Sequence, residues 1–194
     1  GTLSAIAKAH GLPVHLDGAR FANALVALGC SAAAMSWKAG VDIVSFGGTK
    51  NGLMAAEAVI IFDPALAWEF ELRRKRGAHL FSKHRFLAAQ MEAYLADDLW
   101  LDMASSANAA CAALARGLKQ VPGTSFNYEP QANIIFADWA RSAHKRLHEA
   151  GAQYHLWAGA IDGGPDDEPL TARLVTDWSA TDDSVRTFID LLKG

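Results

Sequence analysis

The sequence predicts an α/β layer followed by a smaller α+β unit, and three observations carry that prediction. Helical and strand-like stretches alternate through roughly the first 80 residues, as layered α/β architecture demands. Short apolar runs bounded by Gly, Pro and Asp punctuate that segment and read as strands. Beyond two long helical stretches near 84–119, the pattern changes to strand-like segments with helices among them. At about 150 residues per domain, 194 residues make one large domain or one and a part. The large α/β portion is assigned to residues 1–95 and the small α+β domain to residues 96–194.

In chain order, residues 2–10 carry apolar side chains at i, i+3 and i+4, which predicts an amphipathic helix closed by Gly11. Residues 13–16 read as a buried strand entered through Pro13 and ended by Asp17 and Gly18. Residues 19–28 are rich in Ala and Leu, hence helical, and Gly29 closes them. Ser31 is placed to cap a short helix through Met35 and Trp37. Residues 41–46 are the second strand, broken by the run 47–52, and residues 58–62 are the third. Asp63 followed by Pro64 gives an N-cap with proline at the first helical position. That helix ends in Arg73, Arg74, Lys75 and Arg76, cations that suit its dipole. Helices follow at 84–96 and 98–119, the second with a stripe of Met103, Ala107, Ala110, Cys111, Leu114 and Leu118. Residues 126–128, 133–137, 152–157 and 170–176 are strand-like, with a helix at 142–150 and a last one at 182–193.

Composition narrows the function classes. An apolar share of 51% with 20% charged residues offsets chain entropy and excludes disorder. A net charge of -3 leaves no broad basic footprint, so no nucleic-acid partner is expected. No apolar run approaches the roughly 20 residues that span a bilayer, and no secretory pattern is present, so no membrane role is expected. Cys30 and Cys111 are isolated from each other, which points to a reducing cytoplasm and buried, inert thiols. Residue 1 is Gly, and Leu3, Ile6, Ala7 and His10 already run at helical spacing. That reads as a piece of a longer chain, although a tag scar or processing explains the missing Met equally well.

Three residues stand out for chemistry. Asp17 ends a predicted buried strand, where open α/β sheets bind ligands, and Arg20 follows one turn later. Lys50 lies in the glycine-rich break after the second strand. An acid and an amine presented from neighbouring strand ends suit pyridoxal phosphate. That cofactor attaches to a lysine and needs an acid facing its ring nitrogen. Two of them also have a bland reading, Asp17 as a turn residue or cap and Lys50 as a surface loop lysine, while Arg173, in the last strand-like stretch, reads equally as an exposed strand residue. The break at 47–52 does not match a P-loop. His144 and His148 share a helix face at a spacing that can bind zinc, but a solvated face is the expectation. The acidic loop 162–168 lacks an EF-hand pattern and is expected to be solvated, as is the basic run 73–76. His79 is read as a loop histidine with a possible site role, and the Trp residues as core or interface.

Two stretches then carry a resemblance: Leu16-Asp17-Gly18-Ala19-Arg20-Phe21-Ala22-Asn23-Ala24, and Ser45-Phe46-Gly47-Gly48-Thr49-Lys50-Asn51-Gly52. With Arg73 to His79, Ser82-Lys83 and Arg173-Leu174-Val175-Thr176, the chain resembles the low-specificity L-threonine aldolases. These belong to the β-eliminating lyase group of pyridoxal-phosphate enzymes, which have the aspartate aminotransferase fold, type I. The resemblance implies a partial large domain plus the small C-terminal domain. It implies that Lys50 carries the cofactor, that Asp17 pairs with the ring nitrogen, and that Arg20 and Arg173 engage the substrate carboxylate. Lys75 and Lys83 match basic positions near the cofactor phosphate. The implied reaction is aldol cleavage of L-threonine or L-allo-threonine to glycine and acetaldehyde, in a cytoplasmic homodimer or homotetramer. Alternatives are a phenylserine aldolase, another β-eliminating lyase, or a truncated fragment that serves only as an association module. A complete family member is longer. Ahead of the part matched here it carries a Gly-rich phosphate cradle, a ring-stacking aromatic and candidate bases for the substrate hydroxyl.

Overall fold

A computed structural model describes residues 1–194. The chain divides into two compact units, residues 1–102 and 103–194. In the first, helix α1 (Thr2–Ala9) leads to strand β1 (His15–Gly18). Helices α2 (Phe21–Leu28) and α3 (Ala32–Met35) connect it to strand β2 (Ile43–Gly47). Strand β3 (Glu57–Ile61), α4 (Ala67–Arg76) and α5 (Arg85–Leu95) follow. The strands form one sheet in the order β1-β2-β3, with β1 and β2 parallel and β3 antiparallel to β2. The expected caps are present: Ser31 accepts from the Ala34 N–H at 3.2 Å, and Asp63 from the Ala65 N–H at 2.9 Å.

The sheet's packed face carries Val44 and Phe46, with Phe21 from α2 against it. Phe46 is the hub of an aromatic cluster: its ring lies 5.7 Å from Phe21, 6.1 Å from Tyr94 and 5.6 Å from Trp100. Two expectations fail here. Strand β1 is shifted toward Asp17 and half-exposed, because it pairs on one side only. In α1 the apolar stripe is not buried: Leu3 is 82% exposed, and the only buried residue of the helix is Ser4.

Helix α6 (Leu99–Leu118) crosses the division between the units. The second unit continues with strands β4 (Ser125–Phe126) and β5 (Ile134–Ala140) and helix α7 (Arg141–Glu149). Strands β6 (His155–Ala158) and β7 (Pro169–Val175) and helix α8 (Asp182–Lys193) complete it. Its sheet is antiparallel, in the order β4-β5-β7-β6. Strict alternation sends Ile135, Ala137 and Trp139 of β5, and Leu170, Ala172 and Leu174 of β7, to one face. Leu114 and Leu118 of α6, Leu147 of α7 and Ile189 and Leu192 of α8 close over that face. Helix α8 starts with a reciprocal capping box between Thr181 and Ser184.

His144 overturns the expectation of a solvated face. It is fully buried, stacked 4.6 Å from Trp139, and bonded to the Leu170 carbonyl and the Tyr154 hydroxyl, both at 2.9 Å. A carbonyl only accepts, so Nε2 carries the proton and Tyr154 donates to Nδ1. Burial, with His148 and Arg141 nearby on the same helix, holds the His144 imidazole below its ordinary value. A depressed imidazole contributes stability above the unfolded value of about 6.5, and that contribution is lost as pH falls through the folded value. Urea unfolding of this unit is therefore expected to shift to lower midpoints between about pH 7.5 and about pH 5. An unchanged midpoint would show that the imidazole titrates alike in the folded and the unfolded chain.

The acidic loop is exposed but tied down. Buried Arg141 donates to the carbonyls of Pro165 and Ala160 and pairs with Glu168. The first amides of α7 bind loop carbonyls, Arg141 N–H to Glu168 and Ser142 N–H to Asp166, both at 2.9 Å. The Lys145 ammonium, 2.7 Å away, holds the Asp166 carboxyl below its ordinary value.

Candidate functional site

Parallel pairing brings the site residues to one edge of the sheet. Asp17 lies opposite Ser45, so β1 and β2 run out in the same direction. Lys50 follows three residues after the end of β2, in a one-turn 3-10 helix, Thr49–Asn51. Three glycines let the strand ends close on each other. A Cβ on Gly18 would stand 2.6 Å from the Ser45 carbonyl oxygen, and one on Gly47 would stand 2.7 Å from the Ala19 Cα. One on Gly48 would stand 2.8 Å from the Ala56 carbonyl oxygen. Gly18, Gly47 and Gly48 are thus explained by close backbone approach, and Gly52 by its φ of 112°.

Asp17 is exposed, not buried as the sequence predicts. Alternation along β1 turns Gly18 to the packed face and Asp17 to the opposite one, beside His15 and Ser45. There His15 Nε2 and Ser45 Oγ lie 2.8 Å apart. Asp17 Oδ1 accepts the Ala19 N–H at 3.0 Å, the turn that the bland reading foresees, and the carboxylate still faces outward. Arg20 is half-buried at the N-cap position of α2. Lys50 is exposed. Each of the three sits next to a buried residue: Gly18, Phe21 and Asn51.

Arg173 belongs to the second unit. It is half-buried on the face of β7 that points away from the core, with Phe136 of β5 and His155 of β6 directly opposite. Phe136 and Trp157 meet edge to face on this sheet at 5.1 Å. Lys75 is exposed in the last turn of α4, within the basic run, where Arg73 pairs with Glu69 and Arg74 with Glu71. Lys83 is exposed just before α5 with φ 65°, in the left-handed region. No hydrogen bond or ion pair links either lysine to Asp17 or Lys50. A cavity of about 890 Å³ lies between β3, α4 and α5. His79 and His84 line it, while Asp17, Arg20, Lys50, Lys75 and Lys83 do not.

Sequence reasoning missed Asn51 and Tyr94. Asn51 is 3% exposed, and its Nδ2 donates to Tyr94 Oη at 2.6 Å and to the Trp100 carbonyl at 2.9 Å. Tyr94 is fully buried, and burial pushes its phenol above the ordinary value. Asn51 stands inside the lysine motif and its polarity was a signal. Tyr94 lies 43 residues away and nothing local marks it.

Over 184 residues the chain is 41% identical to the low specificity L-threonine aldolase of Pseudomonas aeruginosa, covering 95% of this chain and 51% of that protein. The chain thus spans about half the length of the curated relatives it matches. It superposes on the threonine aldolase of Leishmania major with a TM-score of 0.86 at 27% identity, covering 98% of this chain and 54% of that one. The serine palmitoyltransferase of Sphingomonas wittichii shares the fold, with a TM-score of 0.63 at 16% identity, over 98% of this chain and 48% of that one. The fold is part of the type I fold of pyridoxal-phosphate enzymes. The beta-eliminating lyase model matches residues 1–142, from α1 through both strand ends that present Asp17 and Lys50, and the chain belongs to the beta-eliminating lyase family.

Proposed function

We propose that this chain is the lysine-bearing part of an enzyme that cleaves a β-hydroxy-α-amino acid, L-threonine or L-allo-threonine, to glycine and acetaldehyde. The observation that carries the proposal is the placement of Asp17, Arg20 and Lys50 at one edge of two parallel strands whose ends touch through Ala19 and Gly47. The donor set fits pyridoxal phosphate: an exposed amine for its aldehyde carbon and an outward-facing carboxylate for its ring nitrogen. When bound, that cofactor supplies an electron sink for the bond that breaks.

The chain's own residues do the rest. Lys50 Nζ would hold the cofactor through its aldehyde carbon. The Asp17 carboxylate keeps a proton at the ring nitrogen, the charge state in which the sink works. Arg20 and Arg173 orient the substrate carboxylate, which a guanidinium can grip bidentately. Lys75 and Lys83 supply positive charge for the phosphate. Orientation of the bond to be broken comes from this set together with pre-placed charge.

We assign a cytoplasmic homodimer or homotetramer. Residues 54–99 support association, because Met54, Trp68, Phe81 and Phe86 are each more than half exposed. No helix is long and apolar enough to cross a membrane.

The test uses a polypeptide of the relatives' length that carries this chain, loaded with pyridoxal phosphate. Glycine and acetaldehyde are expected from L-threonine or L-allo-threonine. Absence of cleavage of either substrate overturns the proposed reaction, and cleavage of phenylserine alone reassigns the substrate. Arg173→Ala is expected to raise KM roughly tenfold or more, the scale of a lost charged hydrogen bond, with cofactor content unchanged. An unaltered KM removes Arg173 from the carboxylate grip.

A further inference from the structure

Lys50 sits on an element too short to hold itself in place. The turn Thr49–Asn51 contains one backbone bond of its own kind, from the Asn51 N–H to the Gly48 carbonyl at 3.0 Å. A single 3-10 turn is marginal without outside support. A lysine stem is flexible, so its amine is placed only as well as its Cα. The precision of Lys50 must therefore come from its two neighbours.

Both are anchored. The Thr49 N–H donates to Glu57 Oε1 at 3.2 Å, and its Oγ1 donates to the Ala56 carbonyl at 3.4 Å. One acceptor is the first residue of β3 and the other immediately precedes it, both within eight residues of chain. Asn51 reaches much further, to α5 through Tyr94 and to α6 through the Trp100 carbonyl. That carbonyl can only accept, which fixes the amide orientation and directs both Nδ2 hydrogens at these two partners. Neither partner is loose. The rings of Tyr94 and Trp100 pack on Phe46, and Phe46 packs on Phe21, the residue after Arg20. One buried network thus joins the element that carries Lys50 to the one that carries Arg20.

We propose that Asn51 and Tyr94 are positioning residues for Lys50: their buried hydrogen bond sets where the lysine amine stands relative to the cofactor it captures. The proposal rests on the assignment of Lys50 as the cofactor lysine. It goes beyond that assignment by giving a role to two residues that touch neither substrate nor cofactor.

The experiment uses the same full-length polypeptide, stripped of cofactor and then mixed with pyridoxal phosphate. It reads the rate at which the visible absorbance of the captured cofactor appears, and the pH midpoint of that absorbance. Tyr94→Phe keeps the ring and its packing and removes only Oη. It is expected to slow capture about fivefold, the equivalent of one hydrogen bond, and to move the pH midpoint. Asn51→Ala is expected to have the larger effect in the same direction. Tyr154→Phe removes a half-buried hydroxyl of the second unit that bonds His144, and is expected to leave both readouts unchanged. Wild-type rates and midpoints in Tyr94→Phe overturn the proposal, and so do equal losses in Tyr94→Phe and Tyr154→Phe, which would mark general destabilisation. Borohydride reduction and peptide mapping of the wild type separate the two assignments. Label on Lys50 with an unaffected Tyr94→Phe sinks the positioning role alone, whereas no label on Lys50 sinks both.

Discussion

Lys50→Ala is expected to abolish the visible absorbance of captured pyridoxal phosphate and to lower threonine cleavage by about three orders of magnitude or more. The size follows from what the amine does. In the role proposed for Lys50, it would convert a bimolecular encounter with the cofactor into a reaction between groups already in place. The chain has seven other lysines, and one that uses Lys50 should label there alone when reduced with borohydride. Label spread over exposed lysines, or an undiminished spectrum in Lys50→Ala, would return Lys50 to the bland reading of a surface loop residue. The 194-residue chain tested alone adds a second readout. Labelling of Lys50 in it would show that this chain suffices to capture cofactor, and labelling only in the longer polypeptide would show that the rest of the pocket is required.

Much of the fold was legible because its signals are local. Asp63 with Pro64 announced a helix start, and the apolar spacing of residues 182–193 matched α8 to the residue. The alternation at 170–176 placed Arg173 on the outward face of β7, where the structure has it. What failed depended on partners distant in sequence. His144 looked solvated because Lys145 and Arg146 flank it, yet Tyr154, Leu170 and Trp139 enclose it from three other segments. Asp17 looked buried because its strand looked internal, and no local pattern says that β1 is a sheet edge. The candidate site shows the same division. Its charged residues were legible as a motif, but the network under them was not, since Asn51 finds its partners 43 and 49 residues away.

The glycines of the two motifs supply the other large prediction, because they test whether the strand ends meet as described. Gly47→Ala would put a methyl group 2.7 Å from the Ala19 Cα and 2.8 Å from its carbonyl oxygen. Those are backbone atoms, so no rotamer change relieves the clash. One strand end must move. Overpacking of this kind costs about 1–3 kcal/mol of stability. The larger effect falls on function, because the displaced segments are the ones that carry Asp17, Arg20 and Lys50. A misplacement near 1 Å is enough to cost about a hundredfold in rate. Gly47→Ala is therefore expected to retain a folded chain by circular dichroism while losing most of its cofactor capture and nearly all cleavage. Gly11→Ala is the control. Its φ of 64° makes alanine unfavourable, but nothing lies within 4 Å of the added methyl, so it is expected to lower stability by about 1 kcal/mol and leave capture intact. Equal capture by Gly47→Ala and wild type would mean that the two strand ends need not touch, and that the juxtaposition of Asp17 with Lys50 is not what places the cofactor.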